Sequence, residues 1–194
     1  VTACEYDVAV VTNITHDHLY FHGTFEAYRE AKALLFRALS SAHRKEGVPK
    51  VAVLNADDGS YAYLRAIPAD VHLSYGLVAG ADVRAERIVA EPHGMRLLLR
   101  TPSGNVALES PLVGRYNVHN ILAASAVACS QGVPLEGIRE GVASVRAVPG
   151  RMQYVDAGQP FAVLIDFAHT TNAMDVALRA AREFTTGRLI VVYG

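Results

Sequence analysis

The residue types best suited to chemistry fall in four short stretches. The densest is Thr12-Asn13-Ile14-Thr15-His16-Asp17-His18 with His22 just after, and it holds three of the chain's eight histidines. Three readings fit it: a solvated loop whose polar side chains cap turns, a zinc site, although no cysteine is nearby, and a magnesium site of one histidine with carboxylate oxygens. The spacing points to a site without choosing the metal. Lys32 is the second feature. It lies four residues after Tyr28 and three before Leu35, in an apolar series with Phe25 and Leu39, which puts it on the core-facing stripe of a helix. A lysine there must snorkel, pair or be chemically altered; conversion to a carbamate would turn a cation into an anionic oxygen ligand. The third stretch, Gly114-Arg115-Tyr116-Asn117-Val118-His119-Asn120, runs from a glycine turn into a helix. Asn117 suits an N-cap, and Asn120 lies one turn later on nearly the same face. The pair serves either capping and packing or recognition of a purine or ribose. Fourth, Asp166 and His169 end an apolar run and lead through Thr170, Thr171 and Asn172 into a helix. A strand end flowing into a helix start suits an anion or a ribose hydroxyl; Thr171 or Asn172 as a plain helix cap is the other reading.

The elements that must hold these residues alternate at first. Tyr6 to Asn13, Lys50 to Asn55 and Val71 to Tyr75 read as buried strands, with helices from Thr24 to about Ala42 and from Asp58 to Ile67. This order implies a parallel sheet covered by helices. The first polar cluster then lies past the carboxyl end of the first strand, where open α/β sheets bind ligands. Strands at Ala81–Glu91, Met95–Thr101 and Val106–Glu109, parted by Pro-His-Gly and Pro-Ser-Gly turns, form a small antiparallel meander. Helices follow at Asn117–Gln131 and Leu135–Val145. Pro149-Gly150 marks a hinge, and beyond it Phe161–Phe167, Asn172–Phe184 and Arg188–Tyr193 read as a βαβ unit.

Composition limits the classes. The 194 residues are 51% apolar and 19% charged, which favours a packed core over disorder. With 18 basic and 19 acidic residues the formal charge is −1, so no overall field attracts nucleic acid or an anionic membrane. No apolar run approaches the roughly 20 residues that span a bilayer, and the start lacks signal-peptide character. Two cysteines, Cys4 and Cys129, suit a reducing, cytoplasmic setting. A start without Met and an end on LIVVYG create the expectation of a piece of a longer protein.

Three blocks, in order, carry a family resemblance: TNITHDHLYFHGTFEAYREAKALLF from Thr12, GRYNVHNILAA from Gly114, and PGRMQYVDAGQPFAVLIDFAHT from Pro149. Together they resemble the Mur ligases, closest to the MurE-type tripeptide synthetases, over essentially the whole chain. The resemblance implies an α/β fold: residues 1–148 as the central ATPase-type domain without its phosphate-loop part, and 149–194 as the linker and opening of a Rossmann-like C-terminal domain. It implies an ADP-forming ligase that joins an amino acid to UDP-N-acetylmuramoyl-dipeptide through an acyl phosphate, using ATP and Mg²⁺. By the same resemblance the phosphate loop and a glutamate metal ligand would precede Val1 and the region selecting the amino acid would follow Gly194, so this piece alone would be inactive.

Carried over by position, His18 corresponds to a magnesium-binding histidine and Lys32 to a carbamylated, metal-binding lysine. Asn117 and Asn120 match positions near adenine, and Arg151 and Asp166 match positions near the ribose and phosphates. His169 and Thr170 match a cleft motif that binds nucleotide or substrate, and Thr12 and Asn13 the segment beside the metal and phosphates. Tyr20 stands where the family usually has Asp, and Thr171-Asn172 where it usually has Pro-Asp. Three alternatives are a divergent paralogue acting on another carboxylate, a zinc hydrolase built on His16, His18 and His22, and a non-catalytic domain that keeps the fold.

Overall fold

The computed structural model describes residues 4–15, 22–91 and 93–193. Its centre is a six-stranded sheet: β1 (Val8–Val10), β2 (Val51–Asn55), β3 (Val71–Gly76), β4 (Val83–Glu91), β5 (Gly94–Thr101) and β6 (Gly104–Ser110), each beside the next in chain order. The first four strands run parallel and the last three antiparallel. The expected antiparallel meander is present and continues the parallel sheet. It joins the parallel strands through Tyr75↔Val83 and Gly76↔Arg84. Asp82 secures that junction by accepting from the Ser74 amide at 2.8 Å and from its hydroxyl at 2.5 Å.

β2 is buried at every position, and its alternating side chains build two apolar layers. Val51 and Val53 face a cluster with Leu99, Leu108 and Leu122, under helix α3 (Tyr116–Ser130). Ala52 and Leu54 face the other side, with Phe36 and Leu39 of α1 (Phe25–Ser41) and Leu64 of α2 (Tyr61–Arg65). Thr24 caps α1 by accepting from the Ala27 amide, and Ala42 ends it, as the pattern predicts. Helix α4 (Leu135–Ser144) starts after Pro134 and packs beside β6, with Ile138 buried. No helix is long and apolar enough to cross a membrane among the described residues.

After Pro149-Gly150 the chain forms an antiparallel pair, β7 (Gln153–Val155) with β8 (Val163–Ile165), and then α5 (Thr171–Phe184). Residues 188–193 were expected to be a strand, but they form no ladder with a described neighbour, and Val192 and Tyr193 are 93% and 86% exposed. The βαβ reading is corrected accordingly. A strand is defined by its partner, and apolar sequence supplies none. β1 and β8 are likewise shorter than their apolar runs.

One ion pair ties the start of the sheet to its flank. Lys50 is 1% exposed, yet its Nζ donates to Tyr6 O at 3.0 Å, Asp7 Oδ1 at 3.0 Å and His43 O at 2.7 Å. All three ammonium donors are used. Lys45 and then Lys50 hold the Asp7 carboxyl below its ordinary 3.8. Lys50→Met leaves the Tyr6 and His43 carbonyls without their buried donor and Asp7 with Lys45 alone, and should cost about 2 kcal/mol in urea unfolding. The Asp7 contribution is present above pH 3.8 and is lost as pH falls through the depressed value. Asp7→Asn should therefore remove part of the acid limb of the stability curve.

Candidate functional site

The mouth of the sheet is assembled by side chains from the turn after β2. Asn55 donates from Nδ2 to Thr12 O at 2.7 Å, and its Oδ1 accepts the Asp57 amide at 3.0 Å. Asp58 accepts the Ile14 amide at 2.8 Å and the Ser60 amide at 2.7 Å. The buried Tyr75 hydroxyl donates to Val11 O at 2.8 Å and Thr12 O at 3.3 Å. Burial first, then the charges of Asp58 and Asp57, push the Tyr75 phenol upward, so it stays a donor. Thr12 and Asn13 are thus held in place with exposed side chains at the carboxyl end of β1.

Asp57 reaches across the same edge. Its carboxylate accepts the Leu77 amide at 2.7 Å, the Val78 amide at 3.1 Å and His119 Nε2 at 2.8 Å. Burial raises its carboxyl, but the Leu77 amide, His119 and the Val78 amide together outweigh that and leave it low. His119 therefore connects the strand ends to the first turns of α3.

Within α3, Asn117 is not the N-cap expected of it. Arg115 holds that position without a side-chain cap bond. Asn117 sits inside the helix at 4% exposure, where it donates to Val113 O at 2.8 Å and its Oδ1 accepts from Asn120 Nδ2 at 2.9 Å. The helix thus buries one amide and uses it to orient the other, exposed one. Asn120 stands at an apolar groove of about 300 Å³ between α3 and α4, walled by Ile121, Ala124, Ile138 and Val142.

The segments after Pro149 meet α3 at Tyr116. Met152 is buried with Ala180 and Ala181 of α5, and Tyr116 packs against this group. The Tyr116 phenol is pushed up to about 12, by burial and then by Asp166, with Arg151 opposing. Asp166 accepts the Met152 amide at 2.8 Å through Oδ2 and the Ala168 amide at 2.8 Å through Oδ1, leaving a lone pair on each oxygen. Met152 is held at φ +45°, a strained value for a side chain of its size, with exposed Arg151 just before it. Arg151 lies 5.7 Å from the Phe167 ring, and the exposed His169 packs edge-on against the same ring. Thr170, rather than Thr171 or Asn172, caps α5 by accepting from the Ala173 amide.

Lys32 departs from expectation. The buried face of α1 is Tyr28, Ala33, Phe36 and Leu39, and Lys32 is exposed with its Nζ 5.3 Å from the Tyr28 ring centroid. The other side of this neighbourhood holds His22, 5.1 Å from the same ring. Tyr28 belongs to the same apolar cluster as Val11 and Ile14. His16, His18 and Tyr20 lie outside the described residues.

Residues 1–128 match the Mur ligase middle domain, and residues 150–194 match the Mur ligase glutamate ligase domain. The chain belongs to the Mur ligase family. It is 46% identical over its whole length to the UDP-N-acetylmuramoyl-L-alanyl-D-glutamate–2,6-diaminopimelate ligase of Geobacillus thermodenitrificans, and spans 40% of that relative's length. Among solved structures, MurF from Acinetobacter baumannii superposes with a TM-score of 0.80 at 26% identity, over 93% of this chain and 38% of that one. A UDP-N-acetylmuramoyl-L-alanyl-D-glutamate–2,6-diaminopimelate ligase superposes with a TM-score of 0.76 at 33% identity, over 94% and 37%.

Of the residues expected in a Mur ligase site, Thr12 is held by Asn55, which accepts the Asp57 amide; Asp57 in turn bonds His119, the residue before Asn120, and Asn120 donates to Asn117. Arg151, Asp166, His169 and Thr170 gather beyond Tyr116. Asn55, Asp57, Asp58, Tyr75 and His119 are additions that the sequence reading missed. The one available signal was Asn-Ala-Asp-Asp-Gly after a buried strand, which also reads as plain turn chemistry. Asp58→Asn should leave one of the Ile14 and Ser60 amides facing an NH2 that cannot accept, and the other with a neutral acceptor in place of a charged one. Faster hydrogen exchange at these two amides, with Ala52 unchanged, is the expected result.

Proposed function

We propose that this chain is the central part of an ATP-dependent Mur ligase, with 1–148 as the central domain and 149–194 opening the C-terminal one. The division is supported by the tight turn at Val148↔Arg151 and by the separate two-stranded sheet beyond it. The parent enzyme would join an amino acid to UDP-N-acetylmuramoyl-dipeptide in the cytoplasm, as a step of peptidoglycan synthesis. The observation that carries this reading is the exposed amide of Asn120, oriented by Asn117 at an apolar groove and tied through His119 and Asp57 to the ends of the strands. An amide beside an apolar wall suits a purine base, and the strand ends suit its phosphates.

In this reading Asn120 binds the adenine, with Asn117 orienting it, and Arg151 and Asp166 approach the ribose and phosphates from the other side. Thr12 and Asn13 lie along the phosphates. His169 and Thr170 contribute to the nucleotide or substrate from the second unit. Closure of the two units would exclude water while the terminal carboxylate of the dipeptide takes the γ-phosphoryl group from ATP. The amine of the incoming amino acid then attacks the acyl carbon, forming the amide and releasing phosphate; ADP is the other product.

Lys32 fits a magnesium site through its chemistry. Its amine is exposed, and no carboxylate pairs with it among the described residues. Carbamylation would give hard oxygen donors, which Mg²⁺ prefers, with His18 as the second protein ligand. Bound there, Mg²⁺ would neutralise charge on the transferred phosphoryl group.

In the full-length parent, phosphate release should require ATP, Mg²⁺, UDP-N-acetylmuramoyl-dipeptide and one particular amino acid. Release with a different carboxylate acceptor would instead identify a divergent paralogue. Lys32→Ala should cut turnover on the order of a hundredfold or more, and bicarbonate should not restore it. Near-normal turnover would remove Lys32 from the metal site.

A further inference from the structure

Helix α3 is apolar around most of its circumference, with Val118, Ile121, Leu122, Ala123 and Ala126 all buried. Burial that broad holds a helix against a sheet but discriminates poorly among its rotations. A polar contact of defined geometry does discriminate. The first turns of α3 make such a contact with the strand ends, His119 Nε2 to Asp57 Oδ2 at 2.8 Å.

Asp57 is itself immobilised before it meets the histidine. The amides of Leu77 and Val78, just past β3, donate to its two oxygens. Gly76 leaves room for this, since a Cβ there would lie 2.8 Å from Asp57 Oδ2. The carboxylate is thus fixed on the sheet, and His119 is the group on α3 that must come to it. Asn120 is the next residue along, so a small rotation of α3 moves its amide directly.

We propose that Asp57 and His119 are positioning residues for the nucleotide base: their contact fixes the rotation of α3 that presents Asn120 to its ligand. Neither residue touches the nucleotide in this account. The inference rests on the reading of Asn120 as the base-binding amide, and its test separates the two.

ADP affinity is measured by calorimetry on the full-length parent and on its Asn120→Ala, His119→Ala, His119→Gln and Asp57→Asn variants, with melting temperatures and steady-state kinetics alongside. His119→Ala should weaken ADP binding roughly tenfold and raise the KM for ATP, with a much smaller change in kcat. His119→Gln, whose amide still donates, should recover most of the affinity. Asp57→Asn combined with His119→Ala should be no weaker than the worse single variant. If Asn120→Ala weakens ADP but His119→Ala and Asp57→Asn do not, the positioning role is overturned while the reading of Asn120 stands. Lowered melting temperatures with unchanged ADP affinity overturn it too, because they mark a merely structural contact. If Asn120→Ala leaves ADP affinity intact, that reading and this proposal fall together.

Discussion

Everything at the mouth of the sheet depends on how the chain is held once it leaves β1. That strand is three residues long, and past Val10 a single backbone bond among the described residues, Val11 N–H to Val53 O, continues to guide it. Side chains take over from there. Asn55 and Tyr75 both donate to the Thr12 carbonyl, and Asp58 accepts the Ile14 amide. These are long-range contacts in a half-buried setting, where an unmet polar group is costly. They convert a polar segment that would otherwise be a free loop into a rigid rim. The residues expected to handle phosphate start on this rim, and the segment leading to His18 begins from it.

The same economy appears in α3. Buried Asn117 spends its amide on Val113 O and on Asn120, so an exposed side chain inherits the order of a core one. Beyond the hinge, Asp166 does comparable work between Met152 and Ala168, accepting the amide of Met152 at its strained φ, one residue after Arg151. Backbone strain of this kind persists where the surroundings over-determine it, and Met152 is packed between α5 and Tyr116. In both places a polar group supports the residue beside it, so a carboxylate or amide with apparent binding chemistry is also structural.

Much of the fold was legible because it rests on local signals. Thr24 and the apolar spacing set both ends of α1, and the valine-rich runs gave β2 and β3 with only small errors at their ends. The site was legible through its motifs rather than its physics. Leu35 in the apolar stripe implies a core-facing Lys32, whereas α1 turns Ala33 and Phe36 inward and leaves Leu35 half-buried. Asn117 looked like a cap because cap and first-turn positions share residue types; the choice was decided by the Val113 carbonyl. Asp57 and His119 stand 62 positions apart, and no spacing rule connects residues that meet only after the sheet forms. Residues 188–193 carry strand composition, but pairing is a property of two segments and cannot be read from one.

The proposed site puts a nucleotide over the carboxyl ends of β1–β3 with its base at Asn120. Its most direct test is a crystal structure of the full-length parent with ADP and Mg²⁺. The adenine is expected within hydrogen-bond distance of Asn120 and in contact with the groove between α3 and α4. The metal is expected to be held by His18 and a carbamate on Lys32. Nucleotide bound away from α3, or an unmodified Lys32 remote from the metal, would contradict these expectations.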